Sequence, residues 1–430
     1  MDPQAEELNE VIKKSSKVVY ELLSSKGKAI FFPKKGILSQ AAEAKGMKIN
    51  ATVGIALEED GSPMRLKSIA DNVKLDPKDA FPYATSFGKK ELREEWKKLL
   101  YKKNPSLKGK EISLPVATNA LTHGLSIVSY LFINPGEKII ISDLYWVNYN
   151  LIFKNAYRVK FDTFKTFKQG TFNIQGLKDR LNDGIGKKIV LLNFPNNPTG
   201  YTVTDKEVVE IVAIIKKAAE KGNKILVIMD DAYFGLVYKK GVYKQSIFSE
   251  LADIHENVLA IKIDGVTKED YVWGFRVGFI TFGIKNGNRE FYSALESKAA
   301  GAVRGNISNA SHLGQSLILK AFTGPTYWDE KKEKYNLLKK RFETVVGVLK
   351  KNEKYLRYFE VLPFNSGYFM CVRLKKGLDG EKIRQQLLKK YNTGVIALGN
   401  ILRLAFSSTP TDKIAKLFSN IYNACKDISS

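Results

Sequence analysis

The sequence has few of the residues that build disulfide frameworks and metal sites. Its 430 residues include two cysteines and three histidines. Cys371 and Cys425 lie far apart in apolar or helical surroundings, without a Cys-x-x-Cys spacing. This pattern argues against a disulfide framework and a cysteine-based metal site, and it is typical of a reducing compartment. The histidines form no metal-binding or catalytic-triad pattern, so we expect no metal ion.

Long apolar runs are also missing. No stretch approaches the length needed to span a bilayer, and the first ten residues, MDPQAEELNE, are too acidic and polar for a secretory signal. We therefore expect a cytoplasmic protein without a membrane partner. A hydrophobic content of 44% is enough for a large core, and a chain of this length is expected to form two domains.

Acidic residues are the minority among the charges: 45 Asp and Glu stand against 69 Lys and Arg, for a net charge of +24. One interpretation is a nucleic-acid-binding protein. The other is a lysine-rich composition spread over solvated helix faces. The lysines are scattered, and most lie opposite the apolar positions of predicted helices. No nucleic-acid-binding motif accompanies them, so we favour the second interpretation and expect no nucleic-acid partner.

The middle of the chain alternates between short apolar runs and longer helical patterns. Strands are predicted at 112–117, 138–142, 158–163, 189–194, 225–229, 258–263 and 277–282. Helices are predicted at 91–101, 121–132, 149–154, 174–181 and 206–221. Continuously apolar strands that alternate with helices indicate an α/β fold with a mostly parallel central sheet and helices on both faces.

The ends of the chain predict a second, smaller α+β domain. After Gly324 and Pro325, a long helix is predicted at 328–351, followed by short strands and two helices. We expect the first 75 residues to join this part. The large domain would then span residues 76–325, and the small domain would form from residues 1–75 and 326–430.

Two polar motifs follow buried strands. NFPNNPTG (193–200) contains a turn that fixes the direction of Asn197, and MDDAY (229–233) contains Asp230 and Tyr233. A buried aspartate is costly unless it is paired. Open α/β sheets bind ligands at the carboxyl ends of their strands, so both motifs are candidates for a binding site.

Three further signals are individually weak. Trp146, on a loop after a strand, could stack on a planar ring. The segment TNALTHG (118–124) opens a helix, and helix N-termini bind anions. Lys268 precedes Arg276 by eight residues on a polar loop between two apolar runs. A tryptophan is more often a packed aromatic, and a single lysine is more often solvated, so the combination carries the argument.

Together these residues resemble the fold-type I pyridoxal 5′-phosphate (PLP) enzymes, and specifically the class I/II aminotransferases of the aspartate aminotransferase kind. NNPTG, then Asp-x-Ala-Tyr, then Lys followed eight residues later by Arg, occur in the family's order and approximate spacing. The resemblance covers nearly the whole chain. It implies a PLP cofactor, a homodimer with shared active sites, and ping-pong transfer of an amino group from an amino acid to a 2-oxo acid.

The resemblance also implies roles for individual residues. Lys268 would bind the cofactor covalently and act as general base and acid, Asp230 would pair with the ring nitrogen, and Tyr233 would hydrogen-bond the ring oxygen. Further cofactor contacts are implied for Leu121, Thr122, Trp146, Asn197, Arg276 and, from the neighbouring subunit, Tyr83.

For the substrate, Arg403 would bind the α-carboxylate, with Trp146 and Asn197 beside it. Gly54 lies in a run that predicts a strand (49–59) before a turn at Asp60 and Gly61, and its backbone would close over the substrate. In AVRGNISN (302–309), Arg304 would cross the dimer to bind a distal carboxylate. The resemblance therefore favours an acidic amino acid with 2-oxoglutarate.

Two departures from the family pattern leave specificity open. Gly265 stands where the family often has a serine, so one phosphate hydroxyl is missing unless Thr267 replaces it. Ala310 and Ser311 replace prolines that usually follow the distal-arginine segment. The alternatives are an aminotransferase for aromatic or neutral amino acids and a PLP-dependent β-lyase. A more remote one is a basic nucleic-acid-binding protein on a vestigial enzyme fold.

Overall fold

The computed structural model describes residues 1–32 and 36–429. The strands of this part of the chain are β1 (Ile49–Asn50), β2 (Val116–Asn119), β3 (Lys138–Ser142), β4 (Lys160–Phe164), β5 (Phe167–Lys168), β6 (Thr171–Phe172), β7 (Lys187–Asn193), β8 (Lys224–Asp230), β9 (Val258–Asp264), β10 (Val277–Gly283), β11 (Phe359–Val361), β12 (Phe369–Leu374), β13 (Thr393–Gly394), β14 (Ile396–Leu398) and β15 (Ile401–Ala405).

The α-helices are α1 (Pro3–Ser15), α2 (Lys17–Leu22), α3 (Ser25–Ala29), α4 (Ile37–Glu43), α5 (Lys67–Ala70), α6 (Pro77–Ala80), α7 (Lys90–Lys103), α8 (Ala120–Phe132), α9 (Ile174–Leu181), α10 (Asp205–Glu220), α11 (Phe248–Leu251), α12 (Val266–Glu269), α13 (Arg289–Ile307), α14 (His312–Phe322), α15 (Tyr327–Lys350), α16 (Gly380–Tyr391) and α17 (Ile414–Ser429). A π-helical segment spans Asn150–Asn155. Short 3₁₀ turns lie at Pro105–Leu107, Glu353–Arg357, Phe406–Ser408 and Thr411–Lys413.

A seven-stranded sheet with the order β2-β10-β9-β8-β7-β3-β4 forms the centre of the molecule. Strand β10 runs antiparallel to both neighbours, and the other pairs are parallel. Strands β7, β8 and β9 are apolar and almost entirely buried, as expected where helices cover both faces of a parallel sheet. The predicted α/β fold with a mostly parallel sheet is confirmed.

The parallel strands bring the two polar motifs to the same edge of this sheet. Register pairs Asn193, the last residue of β7, with Asp230, the last residue of β8. The neighbouring strand β9 ends at Asp264. The segments that follow these three strands therefore lie side by side.

A four-stranded antiparallel sheet with the order β11-β12-β15-β14 forms in the C-terminal part. The N-terminal part packs on it: β1 pairs with β13, and Ala51 accepts a 2.9 Å hydrogen bond from the Ala405 amide. Buried Arg341 of α15 donates to the carbonyls of Leu57 at 2.7 Å and Ser407 at 2.5 Å. The domain boundaries at residues 76 and 325 stay a prediction.

Two predicted strands are shorter in the structure. The run 49–59 forms only the two-residue strand β1, and further along it the carbonyls of Thr52 and Leu57 accept from the side chains of Arg403 and Arg341. The strand predicted at 112–117 begins at Val116 as β2. Before it, Ser113 makes a single backbone hydrogen bond to Phe282, at 3.0 Å.

Within residues 1–32 and 36–429, no helix combines the length and the apolar character needed to cross a membrane. The same residues contain no group of three or more His, Cys, Asp or Glu side chains placed to hold a metal ion. Cys371 and Cys425 are both buried free thiols.

Candidate active site

A cavity of about 370 Å³ lies at the carboxyl ends of β7, β8 and β9. Ten of the twelve predicted site residues line it, namely Gly54, Leu121, Thr122, Trp146, Asn197, Asp230, Tyr233, Lys268, Arg276 and Arg403. Sequence-distant segments thus converge on one concave, partly apolar site, as expected of a small-molecule pocket.

Lys268 lies on the short helix α12, four residues after β9 ends. Its side chain is half-buried, unlike the solvated lysine of a polar loop. Burial, with a smaller contribution from Arg276, lowers the pKa of Lys268 to about 8, while Asp230 opposes the shift. A lysine with this pKa is partly uncharged near neutral pH and can act as a nucleophile or base.

Buried ion pairs hold the residues that follow Lys268. Glu269 contacts the Nζ atoms of Lys103 at 2.8 Å and Lys331 at 3.1 Å. Although burial raises the pKa of Glu269, these two ammonium groups hold it at about 2. Lys331 also lies 2.9 Å from Asp270. Helix α12 is therefore fixed to α7 and α15 by charges buried beside the cavity.

Asp230 ends β8, and its carboxylate is buried. Its Oδ1 accepts from the Ala232 amide at 3.1 Å, and its Oδ2 accepts from the Tyr149 hydroxyl at 2.5 Å. Burial raises the pKa of Asp230, whereas the Tyr149 hydrogen bond and the Lys268 charge lower it. Tyr149 has a pKa raised well above its ordinary value, chiefly by burial, so it remains a donor. Tyr149, which lies three residues after Trp146, was not among the predicted site residues.

Asn193 was also missed, although it opens the NFPNNPTG motif. Its Nδ2 donates to the Asp230 carbonyl at 2.8 Å, and its Oδ1 accepts from the Asn197 amide at 2.8 Å. The strand register predicts this bridge, because parallel neighbours β7 and β8 end at paired residues. Asn193 thereby fixes two predicted site residues relative to each other.

An anion cradle lies where α8 begins. Leu121 and Thr122 lie in its first turn, where backbone amides are free to bind an anion. The Arg276 guanidinium is half-buried at the same cavity, and its Nη1 donates to the Trp273 carbonyl at 3.2 Å. Buried Thr267 Oγ1 has no hydrogen-bond partner within the described part of the chain. Groups of this kind bind a phosphate.

The structure explains the departure at Gly265. A Cβ atom at this position would lie 2.6 Å from the Gly278 Cα and 2.6 Å from the Val277 carbonyl oxygen of β10. There is no room for a serine in this conformation. Thr267 lines the cavity instead, which makes it the candidate for the missing hydroxyl.

Arg403, on β15, is 3% exposed. Its Nη2 donates to the Thr52 carbonyl at 3.1 Å, and its Nη1 to Asn197 Oδ1 at 3.4 Å. Both of these hydrogen-bond partners are amide oxygens, no carboxylate of residues 1–32 and 36–429 pairs with it, and its Nε has no partner there. Burial lowers its pKa. A buried guanidinium without a counter-ion is costly, so this geometry favours an anionic ligand.

Three aromatic or backbone contacts complete the predicted set. Trp146 is half-buried at the cavity, and its ring packs edge-on against Tyr149, with centroids 5.5 Å apart. Tyr233 is buried with its ring centroid 5.2 Å from Lys268 Nζ, and burial raises its pKa. Gly54 is itself exposed and borders the cavity.

Tyr83 and Arg304 are the two predicted residues that the structure does not bring to this cavity. Tyr83 is 90% exposed. Arg304 lies exposed in the last turn of α13. Both predictions assigned the residue to a second subunit, so their roles stay predictions.

One wall of the cavity had no counterpart in the sequence analysis. Ile37, Leu38 and Ala41 of α4 line it, together with Val53. Spacings of three and four residues place side chains on one side of a helix, and this spacing was the available signal. We refer to Ile37, Leu38, Ala41 and Val53 as the apolar wall.

Comparison with known proteins defines the family. The family model for aminotransferase class I and II matches residues 47–421, and the chain belongs to this family. The resemblance inferred from the motifs is thereby confirmed.

Individual relatives are distant. An aspartate aminotransferase of Bacillus sp. (strain YM-2) is 28% identical over 248 residues, which is 57% of each chain. One of Sulfolobus acidocaldarius is 24% identical over 375 residues, or 84% of each chain. The crystal structure of an aminotransferase from Anaerococcus prevotii superposes with a TM-score of 0.79 at 26% identity, covering 90% of this chain and 94% of that one.

Proposed function

We propose that this protein is a PLP-dependent aminotransferase that moves an amino group from an amino acid to a 2-oxo acid by a ping-pong mechanism. One observation carries the proposal. A lysine with a lowered pKa, a buried aspartate and a buried arginine without a carboxylate partner all line one cavity. Perturbed groups that converge in this way are typical of catalytic sites.

The donors around the cavity fit PLP. The first turn of α8, Thr267 and Arg276 would hold its phosphate, and Asp230 would hold a protonated ring nitrogen. When bound, PLP supplies an aldehyde for covalent attachment and a ring that accepts electrons. Tyr149 donates to Asp230 at 2.5 Å, which favours the ionised carboxylate that a cationic ring nitrogen requires.

Lys268 would attach to the cofactor through Nζ and, once released, take the proton from the substrate Cα. A pKa of about 8 lets the same amine accept and return a proton near neutral pH. Tyr233, beneath this amine, and Asn197 would orient the ring, and Trp146 would stack on it. Their positions around Lys268 support these roles.

Arg403 would bind the α-carboxylate of the substrate. Its fork faces the cavity beside Asn197 and the carbonyl of Thr52. A bidentate pair would fix both the position and the orientation of the amino acid. The backbone at Gly54 would border the bound substrate.

We further propose a homodimer in which Tyr83 reaches the phosphate of the neighbouring subunit. Its 90% exposure in the single chain supports a partner contact. A cytoplasmic location stays a prediction, and so does the binding of a distal carboxylate by Arg304. The aspartate aminotransferase names of the relatives support an acidic substrate. The apolar wall is the feature of the pocket that is compatible with the neutral and aromatic alternatives.

The test is a full transamination assay with PLP-loaded protein, a panel of amino acids and a 2-oxo acid acceptor. We expect one molecule of new 2-oxo acid for each molecule of new amino acid. Release of pyruvate and ammonia from substrates with a β-leaving group would favour the β-lyase. No turnover, together with tight and steeply salt-dependent binding of nucleic acid, would favour the vestigial-enzyme alternative.

A further inference from the structure

The short helix that carries Lys268 depends on contacts from outside itself. Helix α12 has four residues, and the last four carbonyls of a helix lack an intrahelical donor. The Val266 carbonyl accepts from the Asp270 amide at 2.9 Å, and the Thr267 carbonyl accepts from the Val272 amide at 3.2 Å. No backbone amide of residues 1–32 and 36–429 donates to the Lys268 carbonyl. This carbonyl therefore needs a donor from a side chain.

Tyr368 supplies that donor. It is fully buried just before β12, and its hydroxyl donates to the Lys268 carbonyl at 3.1 Å across 100 residues of sequence. Burial raises the pKa of Tyr368 well above its ordinary value, so the hydroxyl keeps its proton. The ring packs edge-on against Tyr233, with centroids 5.1 Å apart, and the Tyr233 centroid lies 5.2 Å from Lys268 Nζ. One side chain thus contacts both the backbone of Lys268 and the ring beside its amine.

The segment that follows α12 adopts conformations that need outside support. Tyr271 has a φ of 59° and Arg276 a φ of 55°, in the left-handed region that is uncommon for residues other than glycine. Such conformations persist where surrounding contacts hold them. Buried ion pairs tie this segment to α7 and α15. The Tyr368 hydroxyl adds a tie to the backbone of Lys268 itself.

We propose that Tyr368 is a positioning residue that keeps the Lys268 amine beside the Tyr233 ring and sheltered from water. The catalytic consequence of this inference rests on the proposed function. The hydroxyl fixes the end of α12 and the ring fixes Tyr233, so the amine holds one geometry. A group that transfers a proton must stay within hydrogen-bond reach of its target, and small displacements lower the rate by large factors. Without the tie, the end of α12 is free to move and water can reach the amine.

The first test compares the wild type with Tyr368→Phe, which removes one oxygen atom and retains the ring. The full-length protein, freed of cofactor, is labelled with acetic anhydride at a series of pH values, and acetylation of Lys268 is measured by mass spectrometry. Burial lowers the pKa of this amine to about 8, while Asp230 and Arg276 act on it in opposite directions. Hydration of the amine should raise the midpoint by about half a pH unit or more. Relative to its plateau, the labelling rate at pH 7 should fall about threefold or more.

Tyr238→Phe is the matched control. Tyr238 is also buried, and its hydroxyl donates to the backbone carbonyl of Gly367 at 2.9 Å, next to Tyr368. Each variant loses one buried hydrogen bond, so both should lower the denaturant midpoint of unfolding to a similar extent. Only Tyr368→Phe should move the pH midpoint of Lys268 labelling, because only its hydroxyl bonds Lys268.

Steady-state kinetics of the PLP-loaded proteins give a second readout. Tyr368→Phe should lower kcat about tenfold. The KM for the amino acid should stay within about twofold of the wild-type value, because Arg403 remains in place to bind the α-carboxylate. Tyr238→Phe should leave both constants near their wild-type values.

The outcomes separate the two proposals. An unchanged labelling midpoint or an unchanged kcat in Tyr368→Phe would overturn the inference, and so would equal shifts of the labelling midpoint in the two variants. If the wild type has no transaminase activity and Tyr368→Phe alone shifts the midpoint, the proposed function fails, while the positioning of the Lys268 amine by Tyr368 stands.

Discussion

The two sides of the pocket differ in origin and in chemistry. Polar and charged groups on one side follow the strands of the central sheet, and hydrogen bonds or ion pairs fix them to each other, as between Asn193 and Asp230. On the other side, helix α4 and Val53 contribute hydrocarbon. The polar side carries chemistry that a whole family can share, and the apolar wall can vary with the substrate. Substitutions should therefore affect catalysis on one side and selectivity on the other.

The largest effect is expected for Lys268→Ala. Removing the only amine that lines the described pocket should abolish turnover and covalent cofactor binding. Lys285→Ala, at an exposed position far from the cavity, is the control and should retain full activity. Turnover and the absorption of bound cofactor would be measured for both proteins. Transamination by Lys268→Ala at the wild-type rate would refute the assignment.

Two neighbouring aspartates offer the next comparison. Asp230→Asn should lower kcat by about 10²–10³-fold, since a neutral amide cannot stabilise a cationic ring nitrogen, while the fold remains intact. Asp231 instead pairs with the fully buried Lys262. Asp231→Asn should therefore lower the free energy of unfolding by about 3 kcal/mol, because it leaves a buried ammonium poorly paired.

Kinetics and denaturant unfolding of both variants check this contrast. Lys262 also lies 3.4 Å from Asp264, which limits the loss in Asp231→Asn. Equal losses of stability in the two variants, with unchanged kcat in Asp230→Asn, would count against a catalytic Asp230.

Arg403→Lys should lower kcat/KM by about 10²-fold for every amino acid, whatever its side chain, because a lysine cannot form the bidentate pair. Arg373→Lys is the matched control. Arg373 lies on β12, the strand next to β15, and pairs with Glu360 at 2.7 Å away from the cavity. Steady-state kinetics with a neutral and an acidic amino acid would measure both. A loss confined to one amino acid would contradict a contact with the α-carboxylate.

Tyr149→Phe should have a smaller effect, about tenfold on the dissociation constant of PLP. Loss of the hydroxyl donor raises the pKa of Asp230 further. On acidification, Asp230 of the variant should therefore be protonated at a higher pH than in the wild type. The affinity for the cofactor should fall at that higher pH too. Spectroscopic titration between neutral and acidic pH measures this shift. Tyr145→Phe is the control, because the Tyr145 hydroxyl donates to Asn150 Oδ1 at 3.2 Å and not to Asp230.

The smallest effect is expected for Arg304→Ala. Arg304 is exposed in the last turn of α13 and does not line the cavity of its own chain, so this variant should change the ratio of aspartate to leucine rate constants by less than about twofold, within the range of ordinary surface substitutions. A selective loss of aspartate activity would instead favour the role in binding a distal carboxylate, with Arg304 supplied by the second subunit.

The fold and the polar side of the pocket could largely be predicted from the sequence. Apolar runs of strand length predicted the strands of the sheet. Because parallel strands end at one edge of a sheet, the residues after β7, β8 and β9 were expected to lie close together. The positions of Asn197, Asp230 and Lys268 follow from this rule.

The apolar wall and Tyr149 could not be found in the same way. Ile37, Leu38 and Ala41 are ordinary helix residues, and only the three-dimensional path of the chain brings α4 to the pocket. The Tyr149 hydroxyl meets Asp230 across 81 residues of sequence. Of the run at 49–59, only Ile49–Asn50 forms a strand. Beyond it, the carbonyls of Thr52 and Leu57 accept hydrogen bonds from the side chains of Arg403 and Arg341.

The most direct test is to incubate the protein with PLP at a series of pH values, reduce it with borohydride and map the modified peptide by mass spectrometry. With a pKa of about 8, roughly one Lys268 side chain in ten is neutral at pH 7, against about one in 3,000 for an ordinary lysine. The account predicts a single adduct on Lys268, whose formation rate rises with pH to a plateau with a midpoint near 8. Adducts spread over exposed lysines, with Lys268 unmodified, would contradict it.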